Sequence, residues 1–180
     1  MNTWIWRLAD RESDGFYAER AELLEGRLRQ GWGFPGGDVR LGSGSYLNAW
    51  RAAGWPLNGN ATSRNIGPAR RYSVLKRMLD IQRDDLIVIP RVSVEVDGDG
   101  DFFTIATVVK TYSFEVLDGF ADFGHIIEVD PKRLRSYRYD RDADTAELGS
   151  KLTGMYPYGR AVSRIGDGNG HLRAIVRKLA

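Results

Sequence analysis

Apolar and polar residues follow one another along this chain in patterns that predict one strand near its beginning and several in its middle. Segment 3–8 (TWIWRL) is apolar and aromatic and predicts the first strand. Segment 84–96 (DDLIVIPRVSVEV) starts apolar on both faces and then alternates, and 102–116 predicts a long strand that pairs back with it. Segments 124–130 (GHIIEVD) and 133–140 (RLRSYRYD) predict two further strands.

Helical spacing of apolar residues predicts helices before, between and after these strands. An amphipathic pattern predicts a first helix over about 16–29. Ser45 and Pro68 are residues that suit the first turn of two shorter helices, YLNAWRAAG and ARRYSVLKRML. Segments 144–152 and 171–179 predict two helices near the end of the chain.

The resulting order of elements is β-α, a helical insertion, four strands and helices, which predicts an α+β fold with a curled, mostly antiparallel sheet. We expect one domain over 1–142 with a helical insertion at about 38–80, and a helical extension over 143–180 packed on it. No apolar run approaches the roughly 18 residues of a membrane span, and the first residues do not resemble a signal peptide. There is no cysteine, so we expect a cytoplasmic protein that does not associate with membranes.

Segment 31–37 (GWGFPGG) matches G-x-G-x-x-G, but its context argues against a nucleotide phosphate loop. Such a loop follows a strand and opens a helix, whereas here a predicted helix precedes it and loop residues follow. Pro35 also removes one amide donor. The glycines are better explained as letting the backbone turn sharply around Trp32 and Phe34.

Metal and cofactor chemistry finds little support in the sequence. The chain has two histidines and no cysteine, so we expect no metal and no cofactor. Segment 97–101 (DGDGD) resembles the start of a calcium loop, but the Gly and Glu that an EF-hand needs are replaced by Phe102 and Val108. A turn between strands is the better interpretation.

A metal-dependent nuclease or hydrolase is the alternative function that the sequence leaves open. Asp130 and Lys132 form a D-x-K pair, and Asp122 or Asp85 could supply the upstream carboxylate. Pro131 inside the pair would interrupt the strand that such a motif needs. No nucleophile stands out for acyl-transfer chemistry, so we favour a binding protein over an enzyme.

Arginine dominates the cations, with 21 of the 26 basic residues. A GC-rich genome explains this bias as readily as selection for phosphate contacts, which arginine favours. Its placement is more informative, because the chain has one basic cluster over 64–83 and another over 132–141. The residues that we expect to contact phosphates are Arg40, Arg64, Arg70, Arg71 and Lys76.

Aromatic residues beside cations at strand ends predict a pocket in which a base can stack. Most aromatics belong in the core, but glycines flank Trp32 and Phe34, so we expect one of these rings to pack inward and the other, Trp32 first, to line the pocket. The predicted base-binding residues are Trp32, Phe34, Tyr112, Phe114, Asp122, Phe123 and His125. Of these, His125 or Asp122 would bond to the edge of the base.

The order of these elements resembles that of the EVE domains within the PUA-like superfamily. The features that carry the resemblance are TWIWRL followed by a helix and Gly-Trp-Gly, then RDDLIVIP, FTIATVVKTYSF and DFGHIIEV, over residues 3–140. The family has Gly before the aspartate that corresponds to Asp85, whereas this chain has Asp84. The insertion is long, and 143–180 has no counterpart.

The resemblance implies a curled PUA/EVE-like β-barrel that binds a modified nucleobase, flipped out of DNA in preference to RNA, in an aromatic pocket. It also implies a place in a restriction or phage-defence system, with nuclease activity in another domain or subunit. An RNA-binding module or a small-molecule sensor on the same fold is a further alternative, because fold does not fix function.

Overall fold

A computed structural model describes residues 1–8, 14–31, 40–42, 45–52, 68–96, 102–115, 124–154 and 161–180. Seven strands lie in these ranges: β1 (Thr3–Trp6), β2 (Arg27–Gln30), β3 (Leu86–Pro90), β4 (Phe102–Phe114), β5 (His125–Val129), β6 (Arg135–Arg138) and β7 (Val162–Arg164). The helices are α1 (Asp14–Leu24), α2 (Ser45–Ala52), α3 (Pro68–Leu75), α4 (Ala143–Gly154) and α5 (Gly170–Leu179). Short 3-10 turns lie at Lys76–Asp80, Pro131–Arg133 and Asp167–Asn169.

The strands form one sheet in the order β2-β5-β4-β3-β1-β7, with β6 paired to β4. Every pairing is antiparallel except that of β1 with β3. The prediction of an α+β fold with a mostly antiparallel sheet is therefore confirmed.

Strand β4 bends the sheet, because its two halves pair with different neighbours. Its first half lies between β3 and β6, and its second half pairs with β5. The register with β5 shifts between Val108 and Lys110 and again between Lys110 and Ser113. Each shift adds a residue to β4, and such bulges increase the local bend and twist.

The bend brings the end of β1 towards the end of β2, where side chains connect them. The indole of Trp6 donates a hydrogen bond to the carbonyl of Arg29 at 3.3 Å, and the Gln30 amide donates to the carbonyl of Arg7 at 2.5 Å. Among the described residues no backbone ladder joins β1 to β2, so the sheet is curled but not closed into a barrel.

Both faces of the β1-β3-β4 region are buried, as alternate residues along each strand show. On one face Trp4, Trp6 and Ile87 pack with apolar residues of α1, α2, α3 and the turn at Lys76–Asp80. On the other face Ile5 and Val88 pack against α4 and α5. The last helices, together with β7 beside β1, thus cover apolar surface that would otherwise meet water, which is the main stabilising term in folding.

A buried carboxylate connects β1 to the start of β3. Asp85 accepts hydrogen bonds from the Asn2 backbone at 2.5 Å, the Trp4 indole at 2.9 Å and the Gln82 backbone at 3.1 Å. Burial raises the pKa of the Asp85 carboxyl, but these hydrogen bonds outweigh burial and leave the pKa below its ordinary value. Asp84, just before it, has a φ of 67°, in the left-handed region that favours glycine but tolerates aspartate.

Two predicted elements end earlier than expected, and one further strand was missed. The first helix ends at Leu24 rather than Arg29, because Gly26 adopts a φ of 83° and starts the turn into β2. The strand predicted through position 96 ends at Pro90, where Arg91 has a φ of 61°. Strand β7 was missed, since three residues are too few for a periodic signal.

We predict that Asp85→Ala lowers the free energy of unfolding by about 3 kcal/mol, since it leaves a buried indole N–H and two partly buried backbone N–H groups without their acceptor. Urea denaturation at pH 7 measures this loss. The matched control is Asp84→Gly, which should change stability by less than about 1 kcal/mol because glycine suits the left-handed backbone. Equal losses in the two variants would contradict the role given to Asp85.

The contribution of Asp85 to the free energy of unfolding depends on pH with a defined sign. Because the folded pKa of Asp85 is depressed, its contribution is full above its ordinary pKa of about 4 and is lost as pH falls through the lowered value. The difference between wild type and Asp85→Ala should therefore shrink in acid.

Candidate functional site

His125, the first residue of β5, lies at the centre of an aromatic cluster. Its side chain is fully buried. The hydroxyl of Tyr112 lies 3.1 Å from Nδ1, and the same hydroxyl accepts the backbone N–H of Leu41 at 2.9 Å. The ring of Phe114 meets the imidazole edge-on with 5.3 Å between centroids, and that of Tyr46 lies 6.3 Å away. Apolar and aromatic groups therefore surround most of the imidazole.

The second nitrogen of His125 is the unusual feature of this cluster. Nε2 is buried and has no hydrogen-bond partner among the described residues. Burial lowers the pKa of His125 to about 4, so the ring is neutral at pH 7 and Nε2 is either an N–H donor or a lone-pair acceptor. An unsatisfied buried polar atom costs about 1–3 kcal/mol, which a suitably placed ligand atom would recover.

Backbone pairing fixes the position of this cluster. His125 pairs with Gln30 of β2 on one side and with Phe114 of β4 on the other. A Cβ on Gly124 would lie 2.6 Å from the Phe114 ring, so glycine is what allows that ring to lie against the chain. Two segments outside the described residues begin next to this cluster in the sequence. Segment 32–39 follows Gly31, and segment 116–123 runs from Glu115 to Gly124.

A buried ion-pair network supports the same end of the sheet. Arg29 of β2 is almost fully buried; its Nε donates to Glu22 at 2.6 Å and its Nη1 to the carbonyl of Glu115 at 2.7 Å. The pKa of Glu22 is lowered to about 2, because Arg27 donates two hydrogen bonds to it and Arg29 another, against the opposing effect of burial. The backbone N–H of Glu115 also donates to the carbonyl of Gly124. Arg29 therefore holds Glu115, which precedes 116–123, and Glu115 in turn holds Gly124, which follows that segment.

The structure brings three of the seven predicted pocket residues together: Tyr112, Phe114 and His125. Trp32, Phe34, Asp122 and Phe123 lie outside the described residues. Sequence reasoning missed Tyr46 and Arg29. Tyr46 gave no signal beyond a helical pattern. Arg29 belongs to RLRQ, directly after Gly26, where polar and apolar residues alternate; this alternation could have indicated strand β2.

The predicted phosphate contacts are only partly described. Arg71 and Lys76 follow one another along α3 and the 3-10 turn after it, with Arg71 half-buried and Lys76 exposed. Arg40 is exposed next to Leu41. Arg70 belongs to α3, but its side chain is outside what the structure describes, as is all of Arg64.

The residues of the alternative nuclease have an evident structural role. Asp130 accepts the backbone N–H of Lys132 at 3.0 Å and caps the turn Pro131–Arg133, with Pro131 in its first position. Asp122 is outside the described residues. Within the described part of the chain, no group of three His, Cys, Asp or Glu residues could hold a metal ion.

No protein-family model matches this chain, and no curated protein matches it either. In the described ranges, none of the helices combines the length and the apolar character needed to cross a membrane.

We predict that His125 makes stability depend on pH between about 6.5 and 4. The folded pKa of about 4 lies below the unfolded value of about 6.5, so the unfolded chain takes up the proton first and stability falls as pH falls. The expected loss is about 3 kcal/mol across this range, measured by urea denaturation.

The variant His125→Phe should lose this pH dependence, while His171→Gln should keep it. His171 is the other histidine of the chain and lies exposed beside Glu147 at 3.1 Å. The same slope in His125→Phe as in wild type would show that other groups titrate in this range.

Proposed function

We propose that this chain is a cytoplasmic reader of modified nucleic acid: a PUA/EVE-like domain that binds a modified base, flipped out of DNA, in an aromatic pocket around His125. The observation that carries the proposal is the convergence of Tyr112, Phe114 and Tyr46 on an imidazole whose Nε2 has no partner among the described residues. Rings give a base surfaces on which to stack, and the nitrogen gives a contact to its edge.

The chemistry of the imidazole suits recognition better than catalysis. At pH 7 His125 is neutral, so Nε2 offers either one donor or one acceptor to a base edge and the ring carries no charge. A depressed pKa of about 4 makes it a weak general base, since an effective base has a pKa near the working pH. This supports a binding module over an enzyme, with any nuclease activity on another domain or subunit.

Flipping a base costs a few kcal/mol, and stacking on an aromatic ring is worth about 1–3 kcal/mol. One ring alone therefore does not suffice, and we propose that Trp32 stacks on the base together with a ring of the cluster around His125. Because His125 is fully buried, a base reaches Nε2 only if the residues covering it move, so binding is coupled to a local rearrangement.

Two features support the PUA/EVE-like identity of the fold. Asp84 has a left-handed backbone conformation at the position where the resemblance expects glycine. Only glycine and a few polar residues tolerate such a turn. The side-chain hydrogen bonds of Trp6 and Gln30 between the ends of β1 and β2 are where a barrel would close.

The test is a binding panel of DNA duplexes, each with one modified base, with unmodified duplexes and matched RNA for comparison. Wild type should prefer one class of modified DNA. Trp32→Ala should lose that preference by roughly 5- to 150-fold, the equivalent of one stacked ring, and His125→Gln should lose it because the contact to the base edge changes. His171→Gln is the matched control and should keep it, because His171 lies exposed on α5 beside Glu147 of α4, outside the cluster around His125.

Several results would contradict the proposal. If wild type prefers no modified base, the function is wrong, and preference for RNA or metal-dependent cleavage requiring Asp130 would favour the alternatives. If Trp32→Ala unfolds the protein, Trp32 belongs to the core. If it stays folded and still discriminates, the pocket does not include Trp32.

A further inference from the structure

The second basic cluster, 132–141, divides into two parts in the structure. Arg138 forms two hydrogen bonds with Asp140 at 2.9 and 3.0 Å, and Arg141 forms two with Asp142 at 2.7 and 2.9 Å. These cations are neutralised by their neighbours. The other three, Lys132, Arg133 and Arg135, are exposed and have no ion pair with any residue that the structure describes. We call these three residues the basic edge patch.

The backbone holds the basic edge patch in a fixed arrangement. The turn Pro131–Arg133 is capped by Asp130, whose carboxylate accepts the N–H of Lys132. Arg135 donates Nη1 hydrogen bonds to the carbonyls of Lys132 and Leu134 at 3.1 and 2.8 Å. Among the described residues its Nε and Nη2 have no partner. Three cations therefore lie within four residues, and the sequence 130–135 holds one carboxylate, that of Asp130.

The patch offers charge and, apart from the exposed Pro131, no apolar side chain, which points to a particular class of partner. Leu134 is buried, and the large hydrophobic side chains exposed in the described ranges are Met1, Tyr17, Leu24, Leu79, Val96 and Val109, none of them in 130–135. Amphipathic membrane-surface segments carry apolar side chains beside their cations, and protein interfaces have a buried core. A phosphodiester backbone needs only exposed cations.

We propose that the basic edge patch binds the phosphate backbone of the nucleic acid whose modified base enters the pocket, so this inference rests on the proposed function. Strand β5 has His125 at one end and leads into the patch at the other. Its four steps span about 13 Å, which corresponds to about four base pairs along a duplex. The patch is thus a second contact that positions the duplex while the pocket reads the base.

The test compares salt dependence of binding in three folded variants, using the same modified and unmodified duplexes. The patch variant is Lys132→Gln/Arg133→Gln/Arg135→Gln. The control, Arg173→Gln/Arg177→Gln/Lys178→Gln, removes the same charge from α5, where these cations contact Asp167, the Met1 carbonyl and Asp144. The third variant is Arg71→Gln/Lys76→Gln on the face predicted from the sequence.

We expect the patch variant to weaken binding of modified and unmodified duplexes alike. Each lost phosphate contact should flatten the slope of log affinity against log salt by about 0.9, or about 2.7 for three contacts. The fold-loss of affinity between 50 and 200 mM salt should therefore be about 40 times smaller than in wild type. The control should keep the wild-type slope.

An unchanged slope in the patch variant would overturn the inference, whether or not modified bases are still preferred. Equal flattening in the control would also overturn it, because net charge alone would then explain the effect. If wild type binds no duplex, both proposals fail. If it binds duplexes without preference but the patch variant flattens the slope, the patch stands and the base-reading proposal fails. Binding of anionic vesicles that depends on the patch, with duplex binding unaffected, would assign the surface to membranes instead.

Discussion

The shape of this protein depends on how strand β4 changes partners along its length. Its first half is held between β3 and β6, and its second half pairs with β5 after two register shifts. Without those two extra residues, Tyr112 rather than Phe114 would pair with His125. The bend that curls the sheet is therefore also what assembles the aromatic cluster.

A rigid framework surrounds that cluster, because the sheet is buried on both faces and fixed by buried polar contacts. Asp85 connects the chain at β1 to the start of β3 through hydrogen bonds from Asn2 and Trp4, and Arg29 connects β2 to the residue after β4. Both charges are satisfied by several partners, as buried charges must be. Nε2 of His125 differs from them, since it is buried within this framework and has no partner among the described residues. That contrast is the physical reason to regard His125 as a binding group.

Sequence reasoning found the elements with a strong pattern and missed those set by single residues or by tertiary contacts. The long apolar run of β4 and the amphipathic helices were predictable because their periodicity extends over many residues. The early end of α1 depended on the backbone of Gly26, and β7 exists because β1 offers it an edge. In the same way, Tyr112, Phe114 and His125 could be nominated as pocket residues, but burial of Arg29 and the role of Tyr46 follow from contacts between distant segments. The division of the 132–141 cluster into paired and exposed cations also required the side-chain geometry.

The claim that His125 contacts the recognised base can be measured directly by following its imidazole nitrogens by NMR while a modified-base duplex is added. We predict that the Nε2 resonance of His125 shifts when the modified duplex binds, because that nitrogen gains a hydrogen-bond partner. The unmodified duplex should leave it unchanged, and His171 should not respond to either. A His125 Nε2 resonance that stays in place when the modified duplex is fully bound would contradict the account.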